Sequence, residues 1–183
     1  VNIVGLTGAV VGKKTRIAMD HALTTLRNRY PLHQVTLIDI SDYELVYSDG
    51  RPYETYTGDT RYVTETLMAA DAIIVGTPTF QASIPGALKN VFDLLPIDAL
   101  KQKKVGIIVT AGSQKHFLMV EQQLKPILSY MKADLLPSYV FLEEADYAND
   151  AIITPNCLQR LEELALALVT GAEQLERKVK AAH

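Results

Sequence analysis

The stretch Gly5-Leu6-Thr7-Gly8-Ala9-Val10-Val11-Gly12-Lys13-Lys14-Thr15 gathers three glycines, two threonines and two lysines. Such a set can hold an anion. Backbone N–H groups of residues 8–15 can converge on a phosphate at the start of a helix, whose positive end adds to the attraction. Thr7 and Thr15 offer hydroxyl donors, Gly8 lets the chain turn closely, and Lys13 or Lys14 offers charge.

Spacing narrows the choice of anion. A nucleoside-triphosphate loop places four residues between its glycine and a Gly-Lys-Ser/Thr triplet. Here three residues separate Gly8 from Gly12, and Lys13 is followed by Lys14. The dinucleotide pattern Gly-x-Gly-x-x-Gly also fails, because the glycines stand at 5, 8 and 12. A phospho-receiver domain needs acids after its first and third strands, where this chain has Thr7-Gly8 and Thr77-Pro78. A nest for one phosphate remains, beside the plainer reading of a tight turn with surface lysines.

Pro78-Thr79-Phe80-Gln81 forms a second constellation. Pro78 stiffens the exit from an apolar run and sets an aromatic ring directly after it, with Ser83 and Pro85 opening the next helix. The turn can act as a wall for a flat ring whose edge is met by backbone groups. Thr110-Ala111-Gly112 follows another apolar run in the same way. Three other residues carry weaker chemistry. His116 stands after this third turn, Cys157 in the first turn of a helix where a thiol pKa can fall, and Asp39 at a strand end where a carboxylate caps the next loop.

These loops need a frame. Apolar, β-rich runs occur at residues 1–6, 35–38, 72–76, 105–109 and 139–142, and helical periods lie between them near 15–30, 59–70, 85–95 and 116–131. A last helix covers about 155–180, with Thr154 as N-cap, Pro155 at its first position and a stripe of Leu158, Leu161, Ala165, Leu168 and Leu175. Five buried strands alternating with helices predict an α/β three-layer sandwich around a five-stranded parallel sheet in the flavodoxin-like order 2-1-3-4-5. Ligands of such sheets bind beyond the carboxyl ends of the strands, which is where the three loops fall. Residues 41–62 join the same edge and carry Tyr43, Tyr47, Tyr53, Tyr56 and Tyr62, an aromatic set suited to a homodimer contact or to a self-packed loop.

Composition bounds the rest. The 183 residues suit one domain spanning 1–183, with 48% hydrophobic and 21% charged residues. A net charge of -3 leaves no basic footprint for nucleic acid and falls short of the acidity of a charge-docking electron carrier. No apolar run reaches the ~18 residues of a membrane span, and the N-terminal apolar stretch has no basic flank of a signal peptide. One cysteine excludes an intrachain disulfide and fits a reducing cytoplasm. His21, His33, His116 and His183 show no metal-ligand spacing, so no metal site is expected.

From Gly76 through Asp93, the sequence Gly-Thr-Pro-Thr-Phe-Gln-Ala-Ser-Ile-Pro-Gly-Ala-Leu-Lys-Asn-Val-Phe-Asp resembles the NADPH-dependent FMN reductases. Residues 110–116 and 124–128 are similar to the same family, and its reductases that supply sulfonate monooxygenases have a like arrangement. Phe80 occupies a place where that family commonly has tyrosine, Ala9 and Val11 replace the usual Ser and Arg of the first loop, and Ala111 replaces a glycine. The resemblance implies hydride transfer from NADPH or NADH to FMN and on to free flavin, a quinone, an azo compound or a monooxygenase partner. It implies a phosphate site at Gly8, Lys14 and Thr15, with Thr7 and Lys13 beside it. Pro78, Thr79, Phe80 and Gln81 would line the isoalloxazine, and Thr110, Ala111 and Gly112 would approach its other edge. No catalytic side chain is required, because the flavin carries the chemistry. A homodimer or homotetramer is the expected assembly, and a flavodoxin-type electron carrier is the alternative function.

Overall fold

The computed structural model describes residues 1–181. Four strands follow the apolar runs: β1 (Asn2–Thr7), β2 (Gln34–Asp39), β3 (Ala72–Pro78) and β4 (Lys104–Ala111). Three helices alternate with them: α1 (Lys14–Arg29), α2 (Gly58–Met68) and α3 (Gly86–Asp93). Each strand is parallel to its neighbour, and the order is β2-β1-β3-β4 with the last position beyond β4. All their carboxyl ends therefore lie on one edge.

That last position differs from expectation. Instead of one strand there are two short ones, β5 (Asp134–Leu135) beside the start of β4 and β6 (Val140–Glu143) beside its end. Pro137 lies between them and has no N–H for the ladder, so pairing breaks there. The helix expected over 116–131 is also interrupted. A π-helical turn, Val120–Leu124, precedes α4 (Lys125–Tyr130), and the Lys125 N–H reaches back five residues to the Val120 carbonyl. Pro126 cannot donate to residue 122, which removes the regular helical bond at this point.

The two faces of the sheet hold separate cores. On one, Val63 and Leu67 of α2, Leu88 and Val91 of α3, and Leu128 of α4 pack on Val4, Leu6, Val75 and Ile107. On the other, α1 and the final helix α5 (Pro155–Ala181) cover Ile3, Ile74, Ile108 and Leu142. Helix α1 docks closely because Gly5 has no side chain: a Cβ there would lie 2.7 Å from Met19 Sδ and 2.8 Å from Leu23 Cδ1. The buried stripe of α5 is turned slightly from the one expected. Cys157, Leu161, Leu164, Ala165 and Leu168 are buried, whereas Leu158 and Leu175 are only partly so.

One element has no counterpart in the sequence reading. The antiparallel hairpin of β7 (Tyr147–Ala148) and β8 (Ala151–Ile152) turns through Asn149 and Asp150, both at positive φ (50° and 58°). Asn and Asp tolerate that conformation better than other side chains, so the Asn-Asp pair was the available signal. Thr154, expected to cap α5 with its side chain, instead donates its hydroxyl to Asp146 Oδ1 at 2.6 Å. The carboxylate is the stronger acceptor, and the Thr154 carbonyl alone receives the first amides of α5, those of Cys157 and Leu158.

Candidate functional site

The β1–α1 loop is held at both ends. Gly8 donates its N–H to the Gly76 carbonyl at 2.7 Å, stitching the loop to β3, so this amide is not available to an anion as the sequence suggested. A Cβ at Gly8 would sit 2.7 Å from Leu88 Cδ2, and only glycine fits there. Beyond it, the amides of residues 9–16 find no backbone acceptor among the described residues. Gly12 turns the chain at φ +84°, and Lys13 enters α1 without a side-chain cap. A helix start with this many uncapped donors is an anion site in waiting.

Thr15 and Thr110 join this loop to the end of β4. Their hydroxyl oxygens lie 2.8 Å apart in a buried position. Gly76 makes the approach possible, since a Cβ there would come within 2.9 Å of Met19 Cε and 3.1 Å of Thr15 Cγ2. Thr7 ends β1 between Asp39 and Gly76, fully buried, with its hydroxyl unpaired among the described residues.

Both lysines reach acids of the segment that follows β6. Lys13 Nζ is 3.4 Å from Asp150, and Lys14 Nζ pairs with Glu144. The Lys14 ammonium also lies 5.8 Å from the Tyr147 ring centroid, and the Tyr147 hydroxyl donates to the Lys14 carbonyl at 3.1 Å. Burial pushes the Tyr147 phenol well above its ordinary range, with Asp146 adding to the shift, so it stays a donor. None of these partners was assigned from sequence.

The β3–α3 connection is a tight turn. Phe80 and Ser83 exchange two backbone hydrogen bonds of 2.9 Å, and the central Gln81 and Ala82 both have positive φ, 44° and 60°. Neither is glycine, so the turn stores strain of a kind found at ligand sites. Phe80, Thr79 and Pro78 are half-buried and Gln81 is exposed, while Pro78 pairs with Thr110 in the sheet. The Thr79 hydroxyl donates to the Thr110 carbonyl at 3.2 Å. Ser83 does not cap α3; its hydroxyl donates to Gln123, and Pro85 takes the N-cap place. Ala111 is half-buried and Gly112 exposed, with no atom within 4 Å of a Cβ built on it. The structure thus brings the 8–15, 78–81 and 110–112 loops to one edge, tied by Thr15–Thr110 and Thr79–Thr110.

The remaining candidates fall away from this edge chemistry. Arg16 donates to Asp39 at 2.8 Å, and the Ser41 amide and hydroxyl bond its other oxygen. Burial pushes the Asp39 carboxyl up, but Arg16 and Ser41 outweigh it and hold the acid below its ordinary value. Burial and Asp146 raise the Cys157 thiol to about 11, as suits a structural rather than a reactive cysteine. His116 ends a short 3-10 turn, half-buried. Among the described residues no three His, Cys, Asp or Glu side chains gather as a metal set, and His183 lies outside those residues. No helix among them is long and apolar enough to cross a membrane.

Comparison with known proteins places the chain in a family. Residues 1–146 match the family model of NADPH-dependent FMN reductase. The chain is 37% identical over 169 residues to an NAD(P)H-dependent FAD/FMN reductase of Geobacillus thermodenitrificans, covering 91% of each. It is 41% identical over 118 residues to an FMN reductase (NADPH) of Escherichia coli, covering 63% of this chain and 60% of that one. Among solved structures, an apo NADH:FMN oxidoreductase superposes with a TM-score of 0.79 at 23% identity, covering 91% of this chain and 87% of the other.

Proposed function

The chain belongs to the NADPH-dependent FMN reductase family, and we propose that the edge formed by the 8–15, 78–82 and 110–112 loops is its FMN site. The enzyme is an FMN-dependent NAD(P)H oxidoreductase. Bound at that edge, FMN supplies the hydride-accepting ring, and the protein supplies placement and electrostatics.

The observation that carries the assignment is the run of amides over residues 9–16, at the start of α1, that find no acceptor among the described residues. These donors and the Thr15 hydroxyl suit a 5′-phosphate. They also answer the substitutions at Ala9 and Val11, because backbone donors do not depend on side-chain identity. Phe80 and the strained Gln81–Ala82 turn form one wall for the ring, and Ala111 and Gly112 leave the opposite edge open. Gly112 in particular leaves room for a ligand to approach the backbone.

FMN titration followed by NADPH and NADH oxidation tests the reading. Saturable FMN binding and nucleotide consumption are expected. A protein that binds FMN yet oxidises neither nucleotide would instead act as an electron carrier, and one that binds no flavin would remove the site.

For the assembly we favour a homodimer or higher oligomer. Tyr56 is buried in its own chain with its hydroxyl bonded to Asp49, but Tyr47 is 86% exposed beside exposed Val10 and Val46. A groove of about 360 Å³ lined by Val10, Tyr43, Tyr47 and Ala87 lies there. A monomeric mass in solution would refute this. The single buried thiol suits a reducing cytoplasm, and the electron acceptor is a small molecule or a flavin-dependent monooxygenase.

A further inference from the structure

The pairing of the two loop lysines has a consequence for how strongly the cradle holds its anion. Lys13 and Lys14 lie within the run of free amides, and each faces a carboxylate, Asp150 or Glu144. The backbone that carries these acids is held in place. Glu144 lies in a 3-10 turn closed by a reciprocal capping box between Glu143 and Asp146. Asp150 sits at the tip of the β7–β8 hairpin. The hairpin is fastened to α1 by the Tyr147 hydroxyl on the Lys14 carbonyl, and Asp146 is fastened to Thr154. Two exposed carboxylates on a held backbone thereby face the lysines of the phosphate nest.

We propose that Glu144 and Asp150 are affinity-determining residues that compete with the flavin phosphate for Lys14 and Lys13. This rests on the assignment of the 8–15 loop as the phosphate cradle. An incoming phosphate must either share each lysine with its carboxylate or draw the ammonium away, and it meets two like charges while doing so. The phosphate contribution to binding is reduced, and the contribution of the ring is untouched. A flavin held this way leaves more readily in either redox state. The acids therefore tune the exchange of FMN between solution and site.

Flavin fluorescence quenching with FMN and riboflavin separates the two contributions. In the Glu144→Gln/Asp150→Asn variant the FMN Kd should fall about tenfold, while that of riboflavin stays within about twofold. Adding Lys13→Met and Lys14→Met to that variant should cancel the gain. An Asp98→Asn/Glu163→Gln variant, which removes the same charge elsewhere, should leave FMN affinity unaltered. The inference is overturned by an unchanged or weaker FMN affinity, by equal tightening of riboflavin, by a gain that survives loss of the lysines, or by the same gain in the distant variant. Thr15→Val in the parent protein checks the cradle itself. If Thr15→Val weakens FMN and the acid variant changes nothing, only the inference falls; if Thr15→Val has no effect, the cradle falls with it.

Discussion

Thr15 of α1 and Thr110 of β4 share one buried hydrogen bond, 2.8 Å long, between elements 95 residues apart in sequence. Either hydroxyl can donate. When Thr110 donates, the Thr15 proton is left free for an anion at the helix start. Thr15→Val and Thr110→Val should each lower the unfolding free energy in urea by about 1–2 kcal/mol, because each strands a buried hydroxyl. The double variant should lose less than the sum, since nothing is left unpaired. FMN affinity should fall by about tenfold for Thr15→Val, the loss of one charge-assisted bond, and by less for Thr110→Val. Equal losses would mean that Thr15 serves only as a strut.

Most of the frame was legible because buried parallel strands leave an unmistakable trace. The runs at 72–76 and 105–109 became β3 and β4, and the carboxyl-edge rule points to the loops that the structure gathers at one edge. What escaped depends on distance in the chain. The partners of Lys14 and Lys13 lie 130 and 137 residues away, and no local pattern links them. The Gly8 amide was assigned to an anion because its true acceptor, Gly76, is known only once β1 and β3 are neighbours. The split edge strand and the interrupted α4 were different failures. The run read at 139–142 starts after Pro137 and became β6, whereas the two-residue β5 before it is too short to leave a pattern; in the helix, the period around Pro126 outweighed its missing donor.

Ala82 adopts φ +60° in the turn that walls the proposed ring site. A non-glycine residue in that conformation costs roughly 1–2 kcal/mol. Ala82→Gly should relieve it at the expense of some unfolded-state entropy, for a net gain of about 0.5–1 kcal/mol in urea unfolding. The freed backbone should also move more, seen as faster amide exchange at Ser83, whose N–H bonds the Phe80 carbonyl. A loss of stability would show that the turn is not strained.

Asp39 gives the fold a defined acid sensitivity. Burial opposes its charge, yet Arg16 and the Ser41 donors hold the folded-state carboxyl below its ordinary 3.8. The unfolded chain therefore binds the proton more readily. The stability contributed is complete above the unfolded value and is lost as pH falls through the folded one. Asp39→Asn should cost about 1–2 kcal/mol at neutral pH, the worth of a charge-assisted bond, and should flatten the decline of stability below pH 3.8. An unaltered acid profile would assign that decline to other carboxylates.

Cys157 stands in the first turn of α5, where a helix dipole favours the thiolate, but its surroundings oppose this. The side chain is 5% exposed, and burial together with Asp146 lifts the thiol to about 11. At pH 8 only about one thiol in a thousand is then ionised, and the thiolate is the reactive form. Iodoacetamide at pH 8 should modify the folded protein at least about a hundredfold more slowly than the urea-unfolded chain, whose thiol is ordinary. Asp146→Asn removes one cause, leaving burial in place, and should speed the reaction without matching the unfolded rate. Rapid alkylation of the native protein would mean that the helix start governs this thiol after all.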